Sequence, residues 1–284
     1  MKICVVGLGI IGGSMCMALN RAGLRVYGWN RSRAPLDFAL KKGIISEAAK
    51  DFTEFDVVFV ALPPEPTVNF INSHAFKDNA VVSDICGVKV WLENEIYKLP
   101  RNFRYIGCHP MAGKEVSTIY NACEDLFDRA SLIITRGSNT DSEAFGIIAD
   151  LAKKMGFARM VECTAKVHDA KIAYTSQLAH VVSNAYVKNG ELDGCIGFTG
   201  GSFQDMTRIA GVDETVWSSL YLKNAANLSS NITAVIDALK EVRSAVDSGD
   251  RARLEEILRE GRELFEARRE ERTFRDDIRI TEFK

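Results

Sequence analysis

Three features of this 284-residue chain could do chemistry. The first is a glycine run, Gly7-Leu8-Gly9-Ile10-Ile11-Gly12, set between a short apolar stretch and a helical pattern. In such a run the first glycine permits a tight turn, the second lets backbone approach a pyrophosphate, and the third allows close helix–strand packing. The phosphate then meets free N–H groups at the positive helix end. Gly7, Gly9, Ile10, Ile11 and Gly12 are therefore candidate dinucleotide contacts, joined by Leu62 and Pro63 at the end of a later strand. The second feature is His109, one of four histidines with His74, His168 and His180. An imidazole's ordinary pKa near 6.5 suits proton transfer at neutral pH. His109 also follows a short apolar run, and open α/β sheets bind ligands at the carboxyl ends of such strands. The third is Arg208, which stands in a segment with few other charges and suggests a bound anion or a buried ion pair.

The dinucleotide fingerprint expects an acidic residue after the second strand, for a ribose 2′-hydroxyl. That place reads Trp29-Asn30-Arg31-Ser32. Asn30, Arg31 and Ser32 can donate to a 2′-phosphate that a carboxylate would repel, so NADP is favoured over NAD by a small margin. Of the remaining histidines, His168 is expected to cap or orient a helix, and His74, in a polar stretch, to face solvent.

These residues need a frame. Apolar runs at 3–6, 25–29, 56–62, 80–83 and 104–107 alternate with helical patterns such as 10–21 and 88–97, which predicts a parallel sheet covered on both faces. Runs at 131–135 and 158–161, with a helix over 141–154, extend it. Beyond about residue 162 the strand-like runs end and helices are predicted over 166–187, 214–239 and 251–269. In the last of these Leu254, Ile257, Leu258, Leu264 and Phe265 fall on one face, a stripe that could close a homodimer. The expected domains are 1–162 for the dinucleotide and 163–284 for substrate binding and dimerisation.

Composition removes several function classes. Lys and Arg number 36 against 38 Asp and Glu, a net charge of −2, so no excess argues for nucleic acid or a membrane surface. No run reaches the roughly 18–20 apolar residues of a membrane span. The glycines at 7, 9, 12 and 13 break what would otherwise resemble a signal peptide over residues 1–19. Seven cysteines without a C-x-x-C pair read as buried reduced thiols, and no clustered ligands suggest a metal. A cytoplasmic enzyme is expected.

The motifs have a known counterpart. Gly7-x-Gly9-x-x-Gly12, Asp84-Ile85-Cys86-Gly87-Val88-Lys89, His109-Pro110-Met111-Ala112-Gly113, Asn121-Ala122 with Leu126-Phe127, His168-Asp169, Ser176-Gln177-Leu178-Ala179-His180 and Phe203-Gln204-Asp205-Met206-Thr207-Arg208-Ile209-Ala210 occur in this order over nearly the whole chain. The pattern resembles the prephenate/arogenate dehydrogenases of tyrosine biosynthesis. The resemblance implies a Rossmann-type doubly wound sheet followed by an all-helical dimerisation domain. It implies oxidative decarboxylation of prephenate to 4-hydroxyphenylpyruvate with NAD(P), or of arogenate to tyrosine. By the same resemblance His109 is the catalytic base and Arg208 holds a substrate carboxylate. His180 and Ser176 line the side-chain pocket, Glu115 pairs across the site mouth, and Trp217 forms a wall. Lys114 adds positive charge at that mouth. Many members carry Ser where this chain has Gly87, so a water or Ser83 would have to orient His109. With the chain ending at Lys284, neither a mutase fusion nor a regulatory domain is expected, and any tyrosine feedback would act at the active site. Two rivals stay open: another two-domain Rossmann reductase, and a non-catalytic dinucleotide sensor.

Overall fold

The structure, a computed structural model, describes residues 1–113, 118–190, 194–195 and 197–267, and the backbone of 279–283. Glu115 and Lys114 lie outside the described residues. Among the described residues nine strands form one sheet. They are β1 (Ile3–Val6), β2 (Val26–Trp29), β3 (Glu47–Ala48), β4 (Val57–Val60), β5 (Val81–Asp84), β6 (Arg104–Pro110), β7 (Ser131–Arg136), β8 (Arg159–Cys163) and β9 (Arg279–Phe283). Their order is β3-β2-β1-β4-β5-β6-β7-β8-β9. The first six follow the doubly wound dinucleotide order, whose switch point lies between β1 and β4.

Helices α1 (Ile10–Arg21), α2 (Arg33–Lys41) and α5 (Ser142–Lys154) cover one face, and α3 (Pro64–Ser73) and α4 (Val90–Ile96) the other. Covered on both sides, β1, β4 and β5 are buried at every residue; β1 and β4 read as continuous apolar runs for that reason, while β5 ends in the buried polar pair Ser83 and Asp84. Each buried Val or Ile in them contributes on the order of 1.5–3 kcal/mol relative to exposure. Local signals agree with these boundaries. Asp141 caps α5 by accepting from the Ala144 N–H at 2.7 Å, and Lys153 and Lys154 close its last turn against the helix dipole.

Two features depart from the expected frame. The pairing of β6 with β7 is antiparallel, whereas the other neighbours run parallel. Residues 279–283, placed by sequence in the helical half, return to the sheet as β9 beside β8, covering a row of backbone groups that would otherwise form an open edge.

The second half begins with one long helical rod. It is made of α6 (Ala165–Ile172), a π-turn at Ala173–Gln177 and α7 (Leu178–Tyr186). Then follow α8 (Gly201–Thr207), α9 (Glu214–Lys223), α10 (Ala225–Asp247) and α11 (Arg251–Ala267). Among the described residues no helix is long and apolar enough to cross a membrane, and no disulfide joins the cysteines.

Candidate active site

The glycine run turns directly from β1 into α1. Gly7 has φ +91°, in the left-handed region, and a Cβ there would stand 2.7 Å from Leu62 Cδ2. A Cβ on Gly12 would collide with the Gly7 carbonyl, whereas Gly9 faces open space. Gly9 is also the N-cap of α1 and offers no side chain to its first turn, so the N–H groups there are presented toward that space. These are the features a pyrophosphate needs, and the residues fit a dinucleotide. The loop is braced by Asn30, whose Oδ1 accepts from the Leu8 N–H at 3.0 Å and whose Nδ2 donates to the Ser32 carbonyl at 3.0 Å. Arg31 and Ser32 are exposed, and Arg31 has no partner among the described residues.

From this cradle the loop after β4 leads to a second cavity. The Leu62 carbonyl accepts from Thr67 Oγ1 at 2.9 Å and from the Cys86 thiol at 3.2 Å. Next to Cys86, Gly87 opens onto a cavity of about 470 Å³. One wall is the end of β6 and the turn after it, from His109 to Gly113. The opposite wall is the helical rod with Ile172, Ser176, Gln177 and His180, completed by Trp217 and Leu220 of α9. The π-turn widens the rod where Ser176 and Gln177 meet the cavity, a common use of such bulges.

The structure thus brings together five of the residues singled out from sequence: Gly87, His109, Ser176, His180 and Trp217. His180 Nδ1 donates to the Ile209 carbonyl, 2.9 Å away, because a carbonyl can only accept; Nδ1 is therefore a protonated nitrogen. Its ring lies 3.9 Å from that of Trp217, centroid to centroid. Arg208 is not on the cavity wall. It caps the carboxyl end of α8, exposed, one residue before the carbonyl that holds His180.

Sequence reasoning missed Gln177, which is 1% exposed and joined to Asn224 Nδ2 at 2.9 Å, because its partner lies 47 residues away. Two other expectations need correction. His74 is half-buried, stacked on Phe70 at 4.2 Å, because the polar stretch around it covers an aromatic cluster. The helix-capping role expected of His168 falls to its neighbour. Asp169 accepts from the Lys89 and Val90 N–H groups at the start of α4, at 2.8 and 2.9 Å. The His168 ring instead lies against His109, Nε2 to Nδ1 2.9 Å. Ser83 does not reach His109; it is buried, its hydroxyl donating to the Asp84 carbonyl at 3.1 Å.

Beneath His109 sits a closed polar knot. Lys89, fully buried, gives its three ammonium hydrogens to Asp84 Oδ1 (2.5 Å) and to the carbonyls of Cys86 (2.8 Å) and Cys108 (2.6 Å). Asp84 also accepts from the Tyr105 hydroxyl at 2.5 Å and the Cys86 N–H at 2.7 Å. The knot ties the Gly87 loop to the backbone just before His109. Burial, the adjoining His168 ring and the Lys89 cation together hold the His109 proton affinity well below 6.5. The ring is neutral at neutral pH and is chemically a base.

The two halves of the chain match two domains of one family. Residues 15–162 match the nucleotide-binding domain of prephenate dehydrogenase and residues 164–260 its dimerization domain. The chain belongs to the prephenate dehydrogenase family. It is 29% identical over 263 residues to the prephenate dehydrogenase of Bacillus subtilis, covering 87% of this chain and 71% of that one. It is 28% identical over 264 residues to a cyclohexadienyl dehydrogenase of Zymomonas mobilis, covering 87% and 89%. Among solved structures, prephenate dehydrogenase from A. aeolicus in complex with hydroxyphenyl propionate and NAD+ superposes with a TM-score of 0.82. The two share 26% identity over 95% of this chain and 98% of that one. The family is one of nicotinamide-dinucleotide-dependent dehydrogenases, and the glycine cradle is built for such a cofactor.

Proposed function

We propose that this chain is a prephenate dehydrogenase, oxidising and decarboxylating prephenate to 4-hydroxyphenylpyruvate in tyrosine biosynthesis. The observation that carries the reading is His109, a neutral imidazole at the end of β6 in the wall of an inter-domain cavity, next to the loop that leads to the dinucleotide cradle. Nicotinamide dinucleotide, when bound, supplies the hydride acceptor. The Gly7-Gly9-Gly12 loop and the α1 terminus would hold its pyrophosphate, with Leu62 and Pro63 beside it. His109 takes the proton of the ring hydroxyl at C4 as hydride leaves that carbon. The ring carboxylate then departs as CO2, its bond electrons aromatise the ring and pass to the C4 oxygen, and that oxygen takes the proton back from His109 to become the product's hydroxyl. Ser176, His180 and Trp217 hold the substrate in line from the helical side. Arg208, at the end of α8 beside the His180 anchor, is assigned to a substrate carboxylate, and Glu115 to the mouth of the site.

Arogenate is the second reading, and one observation favours it. With Nδ1 committed to the Ile209 carbonyl, Nε2 is the ring nitrogen of His180 left to meet the amine of arogenate. Arg31, exposed beside the cradle, supports NADP over NAD. The helical half is assigned to a homodimer, and seven cysteines without a disulfide among the described residues suit a reducing compartment such as the cytoplasm. Prephenate and arogenate, each supplied with NAD and with NADP, should give a rise in reduced-nicotinamide absorbance with at least one pair. Silence in all four would end the reading. Arg31→Ala should erase a preference for NADP without weakening NAD.

A further inference from the structure

Among the described side chains, His109 is gripped from one direction. Its Nδ1 lies 2.9 Å from His168 Nε2, and His168 Nδ1 lies 2.7 Å from Asp169 Oδ1. Asp169 is itself fixed, each of its oxygens accepting a backbone N–H at the start of α4. A carboxylate only accepts, so His168 carries its proton on Nδ1. His168 is 1% exposed, and burial, working against the Asp169 carboxylate, keeps the ring from charging. Its Nε2 therefore has a lone pair and no hydrogen. The hydrogen in the contact between the two rings must then belong to His109 Nδ1, which leaves His109 Nε2 bare. That nitrogen is on the cavity side: a Cβ on Gly87 would stand 3.6 Å from it, in ordinary van der Waals contact. Glycine offers no group there to orient the ring.

We propose that His168, backed by Asp169, is a positioning residue that selects the His109 tautomer whose Nε2 accepts a proton from the substrate. A neutral imidazole without such a partner exchanges between two tautomers and turns about its Cβ–Cγ bond, and half of those states present an N–H where a base is needed. The bookkeeping is simple. The substrate hydroxyl proton goes to His109 Nε2, His109 Nδ1 keeps its own hydrogen, and nothing need leave His168 or Asp169. The relay orients; it does not conduct. It also accounts for how the ring stays aligned with Gly87 on its other side, with no role for Ser83.

The inference rests on the proposed activity for its kinetic part, but its structural part is measurable alone. Imidazole ¹⁵N NMR of the full chain, with His109 assigned by loss of its signals in His109→Asn, should show His109 as the Nδ1–H tautomer. His168→Leu removes the acceptor at similar volume and should mix the two tautomers. It should lower kcat by about 10²-fold while dinucleotide affinity stays within about twofold. His168→Gln, which can accept from His109 and donate to Asp169, should recover kcat to within about tenfold of the parent. A parent spectrum with the hydrogen on His109 Nε2 would overturn the proposal, whether or not the leucine variant folds. So would an unchanged kcat in His168→Leu, or equal losses in the two variants. Failure of the parent chain to turn over either dienyl acid would remove the activity and leave the spectrum to judge the relay.

Discussion

A base at the end of a strand is useful when it is uncharged at working pH, and the surroundings of His109 bear on that directly. Burial opposes the imidazolium, two touching imidazoles resist charging together, and the Lys89 cation lies below. Each pushes the same way, so the affinity for a proton falls well below the ordinary 6.5. As pH drops through that lowered value His109 becomes protonated and cannot take a proton from substrate. The acid limb of kcat/KM should accordingly lie below pH 6.5, measured by initial rates at saturating dinucleotide. His109→Asn keeps a polar group of similar size and removes the base. It should bind dinucleotide as before and lose roughly 10²–10⁴-fold in kcat. Near-normal turnover in that variant would take His109 out of the chemistry.

Among the elements, α4 carries more than its seven residues suggest. Its start is capped by Asp169 from the other half of the chain, its preceding residue Lys89 closes the buried knot, and Glu93 on its first turn lies close to both. Burial pushes the Glu93 carboxyl up to about 7, with Lys89 opposing and the Asp84 and Asp169 carboxylates adding to the rise. The folded chain therefore holds that proton more tightly than the unfolded chain does. This contribution to stability is full below about 4.5 and is lost as pH rises through about 7. The melting temperature of the parent should fall by a few degrees more between pH 5 and 8 than that of Glu93→Gln. Parallel pH profiles for the two would refute the coupling. The same scale shows what could be read in advance. The glycine loop, the buried strands and the long rod have local signatures, in glycine spacing, unbroken apolar runs and 3.6-residue periodicity. The direction of β7 has none, since Ser131–Arg136 reads alike whichever way it pairs. The π-turn inside the rod and the ring contact of His168 with His109, 59 residues apart, are products of tertiary packing and leave no mark in the local sequence.

On the scale of the molecule, the sheet half has its apolar surface covered on both faces, and the helical half does not. Along α10 and α11 the side chains of Leu239, Val246, Leu258 and Phe265 are more than half exposed, at 63%, 58%, 69% and 52%. The polar positions of α11 are instead tied up in pairs along its own turns, such as Arg251 with Glu255 and Arg253 with Glu256. An i,i+3 or i,i+4 pair of this kind is worth about 0.2–0.5 kcal/mol and does little to hold an exposed helix in place. A helix whose apolar stripe faces water is stable in company, because burying a leucine or phenylalanine side chain is worth roughly 1.5–3 kcal/mol each. Residues 164–260 match a dimerization domain, and the homodimer proposed above would supply that company. Leu258 and Phe265, seven residues apart on one face of α11, are the positions to test. Leu258→Glu with Phe265→Glu would place two carboxylates where apolar contact is needed. Sedimentation velocity should show a dimer for the parent and a monomer for the double variant, with the far-ultraviolet spectrum retained. Persistence of the dimer in that double variant would move the interface off α11.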